Sequence, residues 1–187
     1  MTKATDTDGA LLPIADCYIL IPELGNKRIV MNNLPDISDG KQAGYTNTSG
    51  IGRTMPFKSY SNSDDRTINW TIHFIVCKQT DVDQILGDIK ALEACVYPRT
   101  NVGGTTYAPP PICRLRCGNT LAGGFPKKDT KPEVCAILKS YSIKFDPSVP
   151  WDASNLIPYK MDMDLQFELV YDQSKLPGAE LILTDGY

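Results

Sequence analysis

The chain has 187 residues, 42% of them hydrophobic and 22% charged, with a formal net charge of −3 and an isoelectric point near 5.1. A chain of this size can bury a core without help from disulfides or a metal, and its composition excludes disorder, collagen, coiled coil and a helical membrane protein. Net acidity argues against a protein that binds nucleic acid by neutralising phosphates.

The N-terminal stretch Met1–Gly9 has no apolar region of signal-peptide length. No apolar run approaches the ~20 residues that span a bilayer. Folding is therefore expected in the cytoplasm, without membrane insertion. Six cysteines, at positions 17, 77, 95, 113, 117 and 135, are spread through expected strands and read as buried free thiols. Charge is uneven: residues 101–140 sum to +4, residues 141–187 to −5 and the first hundred to −2. Opposite halves suit head-to-tail packing between copies.

In chain order, an arm over about 1–14 leads to expected strands at Asp16–Ile21 and Lys27–Met31. Turn-forming residues then crowd Asn32–Gly40, and a polar stretch follows to Gly52. Pro56–Tyr60 is expected to pair as a hairpin with the strongest strand of the chain, Arg66–Cys77. In that strand Ile68, Trp70, Ile72, Phe74 and Val76 alternate with polar residues. From Thr80 the spacing changes. Val82, Ile85, Leu86, Ile89 and Leu92 fall on one helical face, and Thr80 with Asp83 makes a short-side-chain variant of the capping box. The helix is expected over about 80–96, ending at Tyr97-Pro98, because a residue before proline avoids the α region.

Beyond it, Asn101–Pro111 and the basic Gly118–Pro132 read as loops. Ile112–Cys117 and Val134–Phe145 read as strands, with Ile137, Tyr141, Ile143 and Phe145 on one side. A last strand alternates Met161, Met163, Leu165, Phe167, Leu169 and Tyr171 with Asp162, Asp164, Gln166 and Glu168, giving one apolar and one anionic side. The sum is a single mainly-β domain of roughly seven strands with one helix packed on it, its core over about 15–172 and a C-terminal tail over about 173–187.

Chemistry is poorly served by these residues. The single histidine, His73, sits mid-strand on the polar face, so neither a Ser-His-Asp triad nor a two-histidine metal site can be built. Cys95, Cys113, Cys117 and Cys135 are spaced 18, 4 and 18 apart. In an extended segment, however, Cys113 and Cys117 stand about 13 Å apart and cannot share one zinc ion. Asp162, Asp164 and Glu168 lie at a spacing that acid–base carboxylates could use, but no sugar platform accompanies them. Gly50-Ile-Gly52 and Val102-Gly-Gly104 lack the strand-to-helix context of a phosphate loop. Arg114 and Arg116 come without the aromatic pattern of an RNA-binding domain. No enzyme, metal or cofactor is expected.

The order of landmarks carries a resemblance. A β-hairpin ending in Ile72–Val76 leads to the helix, which exits through Val96-Tyr97-Pro98-Arg99. Tyr107-Ala-Pro109-Pro110-Pro111-Ile112 and the strand Cys113–Gly118 follow, then Pro150-Trp151-Asp152, Leu156-Ile-Pro158 and the alternating strand Met161–Tyr171. Over roughly residues 55–172 this resembles baseplate and tail-tube-initiating proteins of contractile bacteriophage tails and related injection machines. The resemblance implies a tail-tube-like β-sandwich or barrel with a flanking helix. It also implies a homo-oligomeric ring, expected to be a hexamer, that joins the tail tube to the central hub, with tube, hub and wedge proteins as neighbours and DNA only passing through the lumen. The LysM-type module that some relatives carry is not expected in the short stretch after the last strand.

On this reading Tyr97, Pro98, Arg99, Pro109, Pro110, Pro111, Arg114 and Trp151 are expected at interfaces or fold elements. Asp162, Asp164 and Glu168 are expected to line the channel, where like charge keeps DNA from sticking. The alternative is a receptor- or carbohydrate-binding β-sandwich at the tail tip, for which Tyr45, Tyr107 and Phe125 are the candidate exposed aromatics. A small hydrolase is the third and weakest class, given the lone histidine.

Overall fold

The computed structural model describes residues 14–52, 54–78, 80–100, 107–118, 120–121, 133–152 and 156–171. The N-terminal arm, the C-terminal tail, Phe125 and most of the two expected loops lie outside these residues. The described residues begin with strands β1 (Cys17–Ile21), β2 (Lys27–Val30), β3 (Asp36–Gly40), β4 (Ala43–Thr48), β5 (Phe57–Ser63) and β6 (Thr67–Ile75). Helix α1 (Asp81–Ala94) and strands β7 (Arg99–Thr100), β8 (Tyr107–Ala108) and β9 (Ile112–Cys117) follow. Strands β10 (Val134–Phe145), β11 (Trp151–Asp152), β12 (Ile157–Pro158) and β13 (Lys160–Leu169) complete the fold.

Seven strands form one antiparallel sheet in the order β2-β1-β9-β10-β13-β6-β3. The protein is mainly β with one flanking helix, as the alternation and the single helical stripe predict. The topology also dictates curvature. Strands β2 and β3 are the two margins of the sheet, yet only residues 31–35 connect them. Six backbone steps reach about 20 Å, whereas six strand spacings in a flat sheet span about 29 Å. The sheet must therefore roll until its margins approach. Asn33, buried in the connector, latches this seam by donating Nδ2 to the His73 carbonyl at 2.8 Å.

Inside the roll lies one core. Ile19, Ile21, Ile29, Ile68, Trp70, Leu115, Met163, Leu165 and Phe167 are essentially excluded from water. Helix α1 buries Val82, Ile85, Ile89 and Leu92, and the last three join that core. The apolar stripe read from the sequence thus faces the sheet, with Leu86 at its margin. An unexpected member of the helix's buried face is Asp88, whose carboxylate meets Lys27 of β2 at 2.7 Å. Burial pushes its pKa up and the Lys27 ammonium opposes that shift, so the pair ties helix to sheet margin at some electrostatic cost.

Four expectations need correction. Residues 36–48 are not a turn region but strands β3 and β4, and Phe57–Ser63 pairs with β4 rather than with β6. Asn, Asp, Ser and Gly favour turns locally, but here cross-strand pairing overrides them. The alternation of β10 is broken by a bulge between Leu138 and Ser140. The extra residue, Lys139, switches the inward set from Ala136 and Leu138 to Tyr141 and Ile143, so Ile137 lies opposite Glu168 on the outer side. Finally, Thr80 is itself helical and makes no side-chain cap; the Asp81 carboxylate accepts from the Lys78 amide at 3.1 Å instead.

Candidate functional site

Three surfaces carry the residues singled out above. The most conspicuous is an arm. Strands β3 and β6 pair to Gly40↔Thr67, the Asp64 amide donates to the Gln42 carbonyl at 2.9 Å, and pairing resumes at Ala43↔Ser63. Hairpin β4–β5 is thus the same two-stranded ladder running on past the edge of the sheet. Its six paired positions extend it by about 20 Å. Every residue of β5 and all but one of β4 are exposed. The arm nonetheless carries Tyr45, Phe57 and Tyr60 on its strands, with Ile51 and Met55 at its tip, all of them exposed. Tyr45 and Tyr60 pack edge to face, their ring centroids 5.8 Å apart at 74°.

The root of the arm is clamped. Arg66, only 7% exposed, meets both carboxylate oxygens of Asp39 on β3 through Nε, at 2.7 Å, and Nη2. Nη2 also donates to the Leu121 carbonyl at 2.9 Å. A bidentate guanidinium–carboxylate pair fixes orientation as well as distance, so the ribbon leaves the body in a set direction. Sequence reasoning named Tyr45 as an exposed aromatic and read Pro56–Tyr60 as a hairpin strand, but gave that strand the wrong partner and so missed the arm. The available signal was a set of isolated large apolar residues in a stretch with no second apolar face to bury them.

The second surface is the outer face of β10, β13 and β6. Asp162, Asp164 and Glu168 stand in a row on β13, as expected, but cations and hydroxyls of the flanking strands meet them. His73 Nδ1 lies 2.6 Å from Asp162, and Asp36 faces the other ring nitrogen at 3.2 Å. Lys160 lies 3.2 Å from Asp162. Lys144 reaches Asp164 at 2.6 Å, where the Thr71 hydroxyl also donates at 2.7 Å. Lys139, the bulge residue, pairs with Glu168. Burial opposes ionisation of Asp162, but hydrogen bonds from His73 and Lys160 outweigh it and hold the carboxyl below its usual range. Lys144 and Thr71 do the same for Asp164, and chiefly Lys139 for Glu168. The face is a ladder of paired charge, polar throughout its centre.

The third surface surrounds the helix exit. Arg99 pairs with Glu23 and donates to the Pro109 carbonyl at 3.5 Å. This joins the helix exit to the proline run across the short β7–β8 ladder. Pro98 and Pro109 are exposed, Pro110 is half-buried and Pro111 is fully buried. Tyr97 is exposed, and its hydroxyl acts with burial to push the Tyr141 pKa up. Arg114 belongs to a different group: it lies 3.6 Å from Glu133, which also accepts from the Tyr18 hydroxyl at 2.6 Å. Trp151 sits on the β11–β12 hairpin, half exposed, tilted against Phe145 with centroids 6.3 Å apart. Tyr107, 79% exposed, is the most open aromatic of the described residues.

No group of three or more His, Cys, Asp or Glu side chains able to hold a metal ion occurs among the described residues, and none of their helices is long and apolar enough to cross a membrane. No protein-family model and no curated protein matches the chain.

Proposed function

We propose that the chain is a non-enzymatic structural subunit of a contractile tail baseplate, forming a ring that connects or initiates the tail tube at the hub. The observation that carries this reading is the arm. A two-stranded ribbon is marginal by itself in water, and this one holds five large hydrophobic side chains in solvent, the Tyr45–Tyr60 pair among them. A limb of this kind is suited to reach across to a neighbour. Closed rings require such heterologous contacts, in which an element of one copy seats on a different surface of the next.

The polar outer face of β10, β13 and β6 suits the channel side. Its carboxylates are compensated within the chain, so it offers passing DNA neither a cationic patch nor an apolar one. The mixed charge of the two C-terminal segments suits contacts between copies. A receptor- or sugar-binding role is the competing reading. The edge-to-face arrangement of Tyr45 and Tyr60 favours packing against protein over a flat stacking platform.

Replacing residues 44–62 with a two-residue Asn-Gly turn tests the proposal. In complementation of a producing strain that lacks the native chain, the shortened protein is expected to accumulate folded but yield no complete tails by electron microscopy. Normal tails that have lost only adsorption would overturn the ring role in favour of receptor binding.

A further inference from the structure

Four of the six cysteines meet in pairs about the two ends of β9. At one end Cys113 lies beside Cys95 from the end of α1, both fully buried, and the Cys95 thiol donates to the Ala91 carbonyl at 3.2 Å. At the other, Cys117 stands directly across from Cys17 on β1, Sγ to Sγ at 3.6 Å. The Gly118 amide donates to the Asp16 carbonyl at 2.8 Å. That bond brackets the Cys17–Cys117 pair and makes it a non-hydrogen-bonded position, where antiparallel side chains lie closest, with Cα atoms typically about 4.5 Å apart. The spacing falls within the span a disulfide bridges without moving the backbone.

We propose that Cys17 and Cys117 are a redox-active dithiol that closes to a cross-strand disulfide when the protein meets an oxidising pool of low-molecular-weight disulfide such as oxidised glutathione. The two thiols have unequal roles. Cys17 is buried and donates its S–H to Cys117, which is part exposed. That hydrogen bond, supported by the Thr120 hydroxyl and opposed by burial, brings the Cys117 pKa down to about 6, while the same contact pushes Cys17 up. A thiolate that solvent can reach is the attacking species in thiol–disulfide exchange.

Cys117 attacks one sulfur of glutathione disulfide and expels one glutathione thiolate. Cys17, giving up its proton, then attacks the Cys117 sulfur of the mixed disulfide and expels the second. The proton of Cys17, and the one Cys117 has already released to solvent, end on the two glutathione molecules, which are reduced as the protein dithiol is oxidised. The Cys95–Cys113 pair lacks this route because neither sulfur is open to an external disulfide.

The new bond would join residues 100 apart in sequence and so constrain a large loop of the unfolded chain. It would pin the β1–β9 ladder at the point where the chain enters β1 and leaves β9. This inference stands apart from the assembly reading, since it needs only the folded chain.

The test incubates the folded, full-length protein with glutathione disulfide, counts free thiols and maps peptides without reduction. Two of the six thiols are expected to disappear, with a Cys17–Cys117 linked peptide and a raised thermal midpoint that dithiothreitol reverses. The Cys77→Ser, Cys135→Ser double variant, altered only at two thiols that are exposed and not buried as the sequence suggested, is expected to lose two of its remaining four thiols in the same linkage. Retention of all six thiols, arrest at a stable glutathione adduct on Cys117, or linkage only between other cysteines would overturn the proposal.

Discussion

Arg66 is a buried cation at the root of the arm. Its guanidinium is nearly enclosed and held by Asp39 from the neighbouring strand. Breaking a buried ion pair by removing one partner strands the other, so Asp39→Ala is expected to lose about 3 kcal/mol in urea denaturation. In the core, Phe167→Ala removes a fully buried ring and is expected to cost about 3–5 kcal/mol. The carboxylates of β13 act through pH. Asp162, Asp164 and Glu168 are held below their usual range by hydrogen-bonding partners. Their stabilisation is therefore full above the unfolded carboxylate pKa, near about 4, and is lost as pH falls through the lower folded values. Lys144→Met removes the first of Asp164's partners. It is expected to lower the urea midpoint above about pH 4, by a margin that shrinks as pH falls and the carboxyl takes up its proton in both states.

Helix α1 and strands β6 and β13 were legible in the sequence because each has one clean period, 3.6 or 2, over its whole length. Strand β10 was legible only in its bounds. Its bulge changes the inward parity at Lys139, and nothing local signals that, because the constraint comes from the partner strand β13. Strands β3 and β4 were hidden for a different reason. Their residues bury almost nothing, so no alternation of polarity marks them, and Ser, Asp and Gly point to turns. The carboxylate row could be read from β13 alone, but its neutralisation could not. Lys139, Lys144 and His73 come from strands distant in sequence. The arm is the element on which the functional reading turns. Tyr45→Ala with Tyr60→Ala removes one exposed ring pair from it and is expected to change unfolding free energy by less than about 1 kcal/mol. Assembly into tails should nevertheless fail.

At the scale of the molecule, a five-residue connector between the margins of a seven-stranded sheet forces the roll. The roll in turn sorts the surfaces: core and helix on the inner side, paired charge on the outer side, and the edge ladder continuing outward as the arm. A body with a polar face and a projecting ribbon is the shape a ring subunit needs. The most direct measurement is quantitative mass spectrometry of purified tail particles, giving the copy number of this chain relative to the tail-tube subunit. A single ring at the baseplate gives six copies per particle in a six-fold tail, the expected result. Three copies would shift the chain to the hub and a large multiple of six to the tube itself. Absence from the particle would contradict the structural role altogether.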